Sequence, residues 1–285
     1  MKMSESSLNQ GSLTIVGTGI RAGGQLTLEA KGCIEMAENL FYLVVEPATE
    51  RFLVRLNPAA ESLHYLYSEG KPRIDTYLEM IEVILAPVRR GRRVCVAFYG
   101  HPGTFVYSSH EAIRKARSEG FPARMMPAPS ALDCLIADLG FDPAMGCQSF
   151  EATNFLLRKG VADASCLFIL WQIGVIGDLY FSPELEASQS MLALLADYLL
   201  QFYDEGQPVV LYEASTELGS QPRVEWGALS ALPQQRVSSI STLCIPPARA
   251  ISYDEEMIKK LGLDHRQLDR AGIQVQIPRN NAGRR

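Results

Sequence analysis

Three stretches of this sequence combine residue types and spacings that could do chemistry. The first, Gly17-Thr18-Gly19-Ile20-Arg21-Ala22, follows directly on the apolar run 13–16. It fits the G-x-G-x-x-G/A turn that lets a backbone approach a pyrophosphate, and Glu46 ends the next apolar run, where a dinucleotide site keeps its ribose-binding acid. An NAD site is one reading; glycines that only permit a tight turn are the other. The second stretch is Tyr99-Gly100-His101-Pro102-Gly103-Thr104-Phe105, fed by the apolar run 94–98. Gly100 and Gly103 let the main chain come close to a ligand, and Pro102 stiffens the loop, which suits the rim of a small-molecule site. The third sets a guanidinium between two phenols: Tyr67, Arg73 and Tyr77, with Asp75 beside them. Arg73 and Tyr77 are four apart and share a face if both are helical. On spacing alone they read as packing tyrosines and a solvated helix-start arginine paired with Asp75.

Those residues need elements to hold them. Residues 13–16 read as a buried first strand, 24–38 as a helix with Leu26, Ala30, Ile34 and Ala37 on one face, and 41–45 as a second strand. A long helix is expected over 73–90, with Tyr77, Ile81, Ile84 and Val88 aligned, then a strand at 94–98, a helix at 105–118 and a short strand ending near Met126. This alternation predicts an open, largely parallel sheet. Pro127-Ala128-Pro129 is a stiff connector and marks the domain boundary. Beyond it Ser130 can cap a helix running to about Leu139. Strands are expected at 166–171, 208–212 and 241–245, with a helix over 185–203. The expected organisation is a disordered N-terminus over 1–11, α/β domains over 12–126 and 127–247, and an extension over 248–285 that frays from about Asn280.

Composition narrows the classes. Hydrophobic residues make up 47% and charged residues 21%, as in an ordinary globular chain. A net charge of −5 argues against a nucleic-acid partner. No apolar run is long enough to span a membrane, and residues 1–11 lack the apolar core of a secretory signal, so a cytoplasmic protein is expected. The six cysteines include no C-x-x-C pair and most sit in apolar runs, which predicts buried reduced thiols; the four histidines are scattered, and no metal site is expected.

Taken together, the G-x-G turn after a first strand, the Y-G-x-P-x-x-F loop Tyr99 to Phe105 and the proline-rich junction before Ser130-Ala131 resemble the tetrapyrrole methylases. The likeness runs over about 12–247 and includes Trp171-Gln172, Tyr212-Glu213-Ala214 and Ser241-Thr242-Leu243. The loop at Tyr99, Gln148-Ser149-Phe150-Glu151-Ala152, Leu170-Trp171-Gln172-Ile173 and the stretch from Ser241 to Pro247 are similar to one branch, the borosin methyltransferases. That branch methylates backbone amide nitrogens of a ribosomally made peptide. Its catalytic cluster, a Y-x5-R-x3-Y arrangement before a helix, is matched by Tyr67, Arg73 and Tyr77.

The resemblance implies a two-domain α/β fold of tetrapyrrole methylase type, with a mostly parallel N-terminal sheet carrying helices on both faces, a second α/β domain, and S-adenosylmethionine in the cleft between them. Gly17 and Gly19 would form the first turn of the cofactor site. Tyr99, Gly100, His101, Pro102 and Phe105 would flank the methionine and sulfonium end, where an aromatic face attracts a cation. Ser130 and Ala131 would add backbone and hydroxyl contacts, and Gln172, Tyr212, Ala214 and Thr242 would hold the adenosine. Arg73 would stabilise the oxyanion of an imidate, Tyr77 would add a donor, and Tyr67 would accept or relay the amide proton, which requires a lowered pKa. No metal is implied. Fungal borosin enzymes carry their own substrate as a C-terminal extension. Residues after Pro247 here are charged throughout, without a run of small apolar residues, so a separate precursor peptide is expected, with 253–268 packing on the enzyme or aiding recognition. A homodimer is the corresponding assembly, and with two peptides a heterotetramer. Three other readings stand beside this one. One is a tetrapyrrole carbon methyltransferase using Lys71, Arg73, Arg89, Arg90, Arg92 and Arg93; the others are an NAD-dependent oxidoreductase and a binding module without turnover.

Overall fold

A computed structural model describes residues 10–21, 23–159, 162–182, 188–250 and 252–270. The expectations for 1–9, for Ala22 and for the tail beyond 270 lie outside the described residues. The chain divides into two units, Met1–Cys134 with Leu179–Pro183 and Ala214–Gln221, and Leu135–Asp178 with Glu184–Glu213 and Pro222–Arg285.

The first unit is built on runs of β-branched and apolar residues. These form β1 (Ser12–Gly17), β2 (Asn39–Leu43), β3 (Ala60–Ser62), β4 (Arg93–Phe98) and β5 (Ala123–Met126), between which lie α1 (Leu28–Met36), α2 (Pro47–Leu56), α3 (Arg73–Arg89) and α4 (Tyr107–Ser118). The strands align all-parallel in the order β3-β2-β4-β1-β5. Alternation along each strand sorts its side chains onto two faces. Leu13, Ile15, Val94, Val96 and Phe98 meet Ile81, Ile84 and Val88 of α3 and Ala112 and Ala116 of α4 on one face. Val16, Leu40, Tyr42, Cys95 and Ala97 meet Ala30 and Ile34 of α1 and Leu53 of α2 on the other. Both faces are covered, as a parallel sheet requires and as the strand–helix alternation predicts.

Several elements differ from the expectation. The first helix begins at Leu28, because the hydroxyl of Thr27 caps it by accepting from the Ala30 N–H at 3.1 Å. Residues 47–56 form α2, which the pattern of apolar residues did not reveal, with Pro47 at its first position. The helix expected over 185–203 is described as Gln189–Leu199, and residues 183–187 lie outside the described residues.

The helix after the proline connector, α5 (Ala131–Leu139), starts where expected. Ser130 caps it, and the cap is reciprocal. The carboxylate of Asp133 accepts from both the Ser130 N–H and hydroxyl at 2.6 Å, and the Asp133 N–H reaches the Ser130 hydroxyl at 3.4 Å. Burial raises the Asp133 pKa, but the Ser130 hydroxyl and N–H outweigh it, and the net direction is downward. The depressed value means that the cap's contribution is present above the ordinary carboxylate range and fades only as the pH falls through the folded-state pKa. Asp133→Ala is expected to cost about 1 kcal/mol, read from denaturant melts at neutral pH, and the deficit should shrink in acid.

The second unit holds β6 (Cys147–Glu151), α6 (Ala152–Leu157), β7 (Leu167–Trp171), α7 (Gln189–Leu199), β8 (Pro208–Glu213), β9 (Arg223–Ala228) and β10 (Thr242–Ile245), followed by α8 (Glu255–Lys260) and α9 (His265–Arg270). Its sheet runs β6-β7-β10-β8-β9, and only β6 and β7 are parallel. Phe155, Phe168, Leu170, Leu195, Leu199, Leu211, Leu243 and Ile245 form its core. Among the described residues, all six cysteines are free, no helix is long and apolar enough to cross a membrane, and no group of three or more His, Cys, Asp or Glu side chains could hold a metal ion.

Candidate active site

In the first sheet β1 leads through α1 to β2 on one side, and its neighbour β4 leads through α4 to β5 on the other. The loops leaving β1 and β4 therefore part at a topological switch point, the place where open α/β sheets bind ligands. The two glycine-containing loops noticed in the sequence are these two. They are joined to each other: Gly100 N–H donates to Gly19 O at 3.0 Å and Gly19 N–H to Gly100 O at 3.3 Å. A Cβ at Gly17 would overlap the carbonyl oxygen of Gly100 and lie 2.6 Å from Ala128 Cβ and 2.7 Å from Pro102 Cδ.

The same geometry overturns the NAD reading. A dinucleotide fingerprint needs the helix to open directly from the glycine turn, so that free amides and the helix N-terminus face the pyrophosphate. Here α1 starts only at Leu28. The amides of Ile20 and Arg21 are already taken by the Gln25 side-chain oxygen, at 2.7 and 3.0 Å. Gln25 had no signal in the sequence pattern.

Around the switch point, burial and then the Glu46 carboxylate push the half-buried Tyr99 phenol up to about 12. His101 Nδ1 accepts from the Gly103 N–H at 3.0 Å, which puts a neutral ring's proton on Nε2. Pro102 is buried, and its carbonyl accepts from the Ser109 hydroxyl. Phe105 takes a left-handed conformation, φ 57°, with half its surface exposed. A bulky residue held there is strained, and such strain gathers at functional sites. Ser130 uses its hydroxyl as a donor to Asp133, so only its lone pairs remain for another partner. Ala131 is the first residue of α5.

The Tyr67, Arg73 and Tyr77 group is brought together by a 3-10 turn (His64–Leu66), a loop and the start of α3. Tyr67 is half-buried. Burial pushes its phenol up to about 12, the neighbouring Tyr77 adds to the rise, and the Arg73 guanidinium opposes it. The direction corrects one expectation: a phenol at about 12 is a proton donor at neutral pH, so Tyr67 does not have the lowered pKa that a base requires. Its ring lies 4.8 Å from that of Phe181, and Tyr77 lies 6.3 Å from Tyr107.

In the second unit Gln172 follows β7 in a left-handed conformation, φ 60°, with its side chain exposed. Thr242 begins β10 and pairs with Tyr212 of β8, so Gln172, Thr242 and Tyr212 share one end of that sheet. Glu213 braces this end, accepting from Arg223 at 3.1 Å, from Ser238 at 2.8 Å and from Ser241. The Tyr212 side chain is fully buried, and its hydroxyl donates to Asp138 at 2.7 Å. The phenol expected to touch a ligand is thus tied to Asp138 instead. Ala214 follows β8 and is grouped with the first unit.

Residues 12–221 match the family model of the Tetrapyrrole (Corrin/Porphyrin) Methylases, and the chain belongs to that family. It is 43% identical over 258 residues to the methyltransferase/ribosomally synthesized cyclic peptide gymnopeptides precursor of Gymnopus fusipes, a match covering 89% of this chain and 61% of that protein. It is 38% identical over 262 residues to the methyltransferase/ribosomally synthesized type I borosin cyclic peptide precursor of Coprinopsis marcescibilis, covering 89% and 67%. The chain spans about three fifths of the length of the first of these relatives. Uroporphyrin-III-C-methyltransferase from Thermus thermophilus shares the fold, with a TM-score of 0.59 at 19% identity over 87% of this chain and 99% of that one.

Proposed function

We propose that the chain is an S-adenosylmethionine-dependent methyltransferase that methylates backbone amide nitrogens of a ribosomally made peptide presented as a separate precursor. The observation that carries this reading is the gathering of Tyr67, Tyr77 and Arg73 at the start of α3. An amide nitrogen is a poor nucleophile because its lone pair is shared with the carbonyl. A donor set aimed at the carbonyl oxygen draws that lone pair into the carbonyl and stabilises the imidate left when the N–H proton passes to solvent. Arg73 is always charged and offers several donors, and Tyr67, held as a phenol, adds another; Tyr77 stands on the same helix face.

The residues at the switch point fit the cofactor. The Nε of Arg21 is buried without a hydrogen-bond partner among the described residues, a donor suited to a carboxylate, and Tyr99 supplies an aromatic face beside the stitched glycines. When bound, S-adenosylmethionine supplies the electrophilic methyl group. Gly17, Gly19, Gly100, His101, Pro102 and Phe105 shape the loops that would hold it, with Ser130 and Ala131 at the start of α5.

The tetrapyrrole reading fares worse. A polyanionic ring needs unspent cations near the site, yet Lys71 pairs with Glu79, Arg89 with Glu82 and Glu119, and Arg92 with Glu38. Arg92 and Arg93 also sit at the N-terminal end of β4, opposite its switch-point loop. A homodimer is the assembly proposed, checked by sedimentation with and without peptide.

Co-expression with small open reading frames encoded beside this chain tests the proposal. Methyl-sized mass steps, placed on backbone amides by tandem mass spectrometry, are expected on one of them. Cofactor binding with no peptide modified would retain the family and overturn the substrate.

The Tyr67 role has its own test. A donor must be protonated, and with a pKa raised to about 12 that form persists well above neutrality. Tyr67→Phe is therefore expected to slow turnover by a similar factor at every pH from 6 to 10. A rate that climbs about tenfold per pH unit in the native chain, with the slope lost in Tyr67→Phe, would instead make Tyr67 the base.

A further inference from the structure

Residues 179–181 lie in sequence between β7 and α7, yet they belong to the first unit. They run antiparallel to residues 70–73, with Pro72 opposite Tyr180. Three main-chain bonds make the pairing: Gly70 N–H to Phe181 O, Phe181 N–H to Lys71 O and Arg73 N–H to Leu179 O, each 3.0 Å. Arg73 opens α3, and its N–H is one of the helix's first donors, which have no partner inside the helix. The residue before it, Pro72, gives no side-chain cap. The carbonyl of Leu179 takes that place. On the other side of the loop the Phe181 ring lies 4.8 Å from the Tyr67 ring, inclined at 44°.

Within the loop between Tyr67 and Arg73, the Lys71 N–H closes a turn onto Ser68 O at 3.1 Å, and the Tyr67 side chain packs against the first unit's core beside Tyr77. Ser68, Glu69 and Gly70 are exposed, and a Cβ at Gly70 would meet nothing within 4 Å. Lys71 provides one further tie, from its ammonium to Leu66 O at 3.0 Å and to Glu79 of α3. The segment 179–181 thus touches both ends of this loop, bonding the main chain at Arg73 and packing a ring against Tyr67.

We infer that residues 179–181 are a positioning strap for the Tyr67–Arg73–Tyr77 cluster, in which the strap's main chain caps α3 at Arg73 and the Phe181 ring sets the Tyr67 phenol. The inference rests on the proposed function for its catalytic consequence, though not for its geometry. Donors to a developing oxyanion must be placed to within a fraction of an ångström, and misplacement by about 1 Å can cost roughly 10²-fold in rate. The strap is therefore a device for turnover and not for holding cofactor.

The test uses the full chain and two readouts. In the first, native and Tyr67→Phe proteins are titrated with base by ultraviolet difference spectroscopy, and their difference isolates the Tyr67 transition. Phe181→Ala is expected to move that transition down toward the ordinary tyrosine range, and Phe181→Tyr is compared through its own Tyr67→Phe pair, where the transition should stay high. An unchanged transition in folded Phe181→Ala overturns the inference whatever the enzyme's substrate. In the second, Phe181→Ala is expected to lower kcat about 10- to 100-fold with KM for peptide and affinity for S-adenosylmethionine within about twofold, and Phe181→Tyr to restore most of the rate. A raised KM with unchanged kcat overturns it. Phe181→Leu, which keeps apolar volume without the ring, replaces Phe181→Ala in both readouts if the alanine variant does not fold. A shifted transition in a protein that methylates no peptide leaves the strap standing and removes the proposed substrate.

Discussion

Arg73→Ala is expected to reduce peptide methylation by at least about 10²–10³-fold while leaving S-adenosylmethionine affinity within a few-fold. The factor is what removal of one oxyanion donor costs in other enzymes, and here the donor lost is also the only full charge in the trio. The substitution keeps the local main chain in place. Alanine is a good helix former at the opening of α3, and the bond that ties this position to Leu179 uses the main-chain N–H, which alanine keeps. Arg73→Lys separates charge from geometry. A lysine retains the charge and loses the planar fork, so its rate should fall between those of alanine and arginine. Single-turnover rates followed by mass spectrometry, with cofactor affinity from calorimetry, decide the matter. If a folded Arg73→Ala lost cofactor binding and not turnover at saturation, the residue would belong to the cofactor's site and the oxyanion role would fall.

How much of this was readable in advance depends on the range of the cause. The β1 and β4 strands are continuous apolar runs and were visible as such. So was the Ser130 cap, because a serine followed three residues later by an aspartate is a local signal. The apolar pattern does not mark α2, although Pro47 at its first turn is a local signal. The second sheet resisted reading because β6 and β9 are only partly buried and so lack a continuous apolar run, and their order depends on non-local pairing. Within the site, the residue types and spacing of Tyr67, Arg73 and Tyr77 were legible, and the direction of the Tyr67 pKa was not, since it follows from burial against neighbours. Tyr212 shows the same limit. Its strand was legible, but which way its ring faced was settled by Asp138, 74 residues earlier. Phe181 gave no sign at all, because a single aromatic residue between two elements acquires its meaning only from the loop it happens to meet.

The contact between the two glycine loops sets the other large effect. Gly17→Ala is expected to cost about 3 kcal/mol or more of stability and to abolish measurable S-adenosylmethionine binding. A methyl group there would overlap the Gly100 carbonyl, and the next neighbours, Ala128 and Pro102, have no rotamer that clears it. Overpacking against rigid neighbours costs about 1–3 kcal/mol, and here it also forces apart the paired bonds between Gly19 and Gly100. Gly70→Ala is the matched comparison. Gly70 sits at φ 72° with open space around it, so its substitution carries only the backbone penalty of about 1 kcal/mol for the left-handed region. Denaturant melts should therefore rank Gly17→Ala well below Gly70→Ala, and only the former should lose cofactor affinity. Both variants remain close to the proposed site's elements, which makes the contrast informative: a folded Gly17→Ala that still bound the cofactor with native affinity would mean that the β1 and β4 loops can separate without consequence, and the switch point would then not be where the cofactor sits.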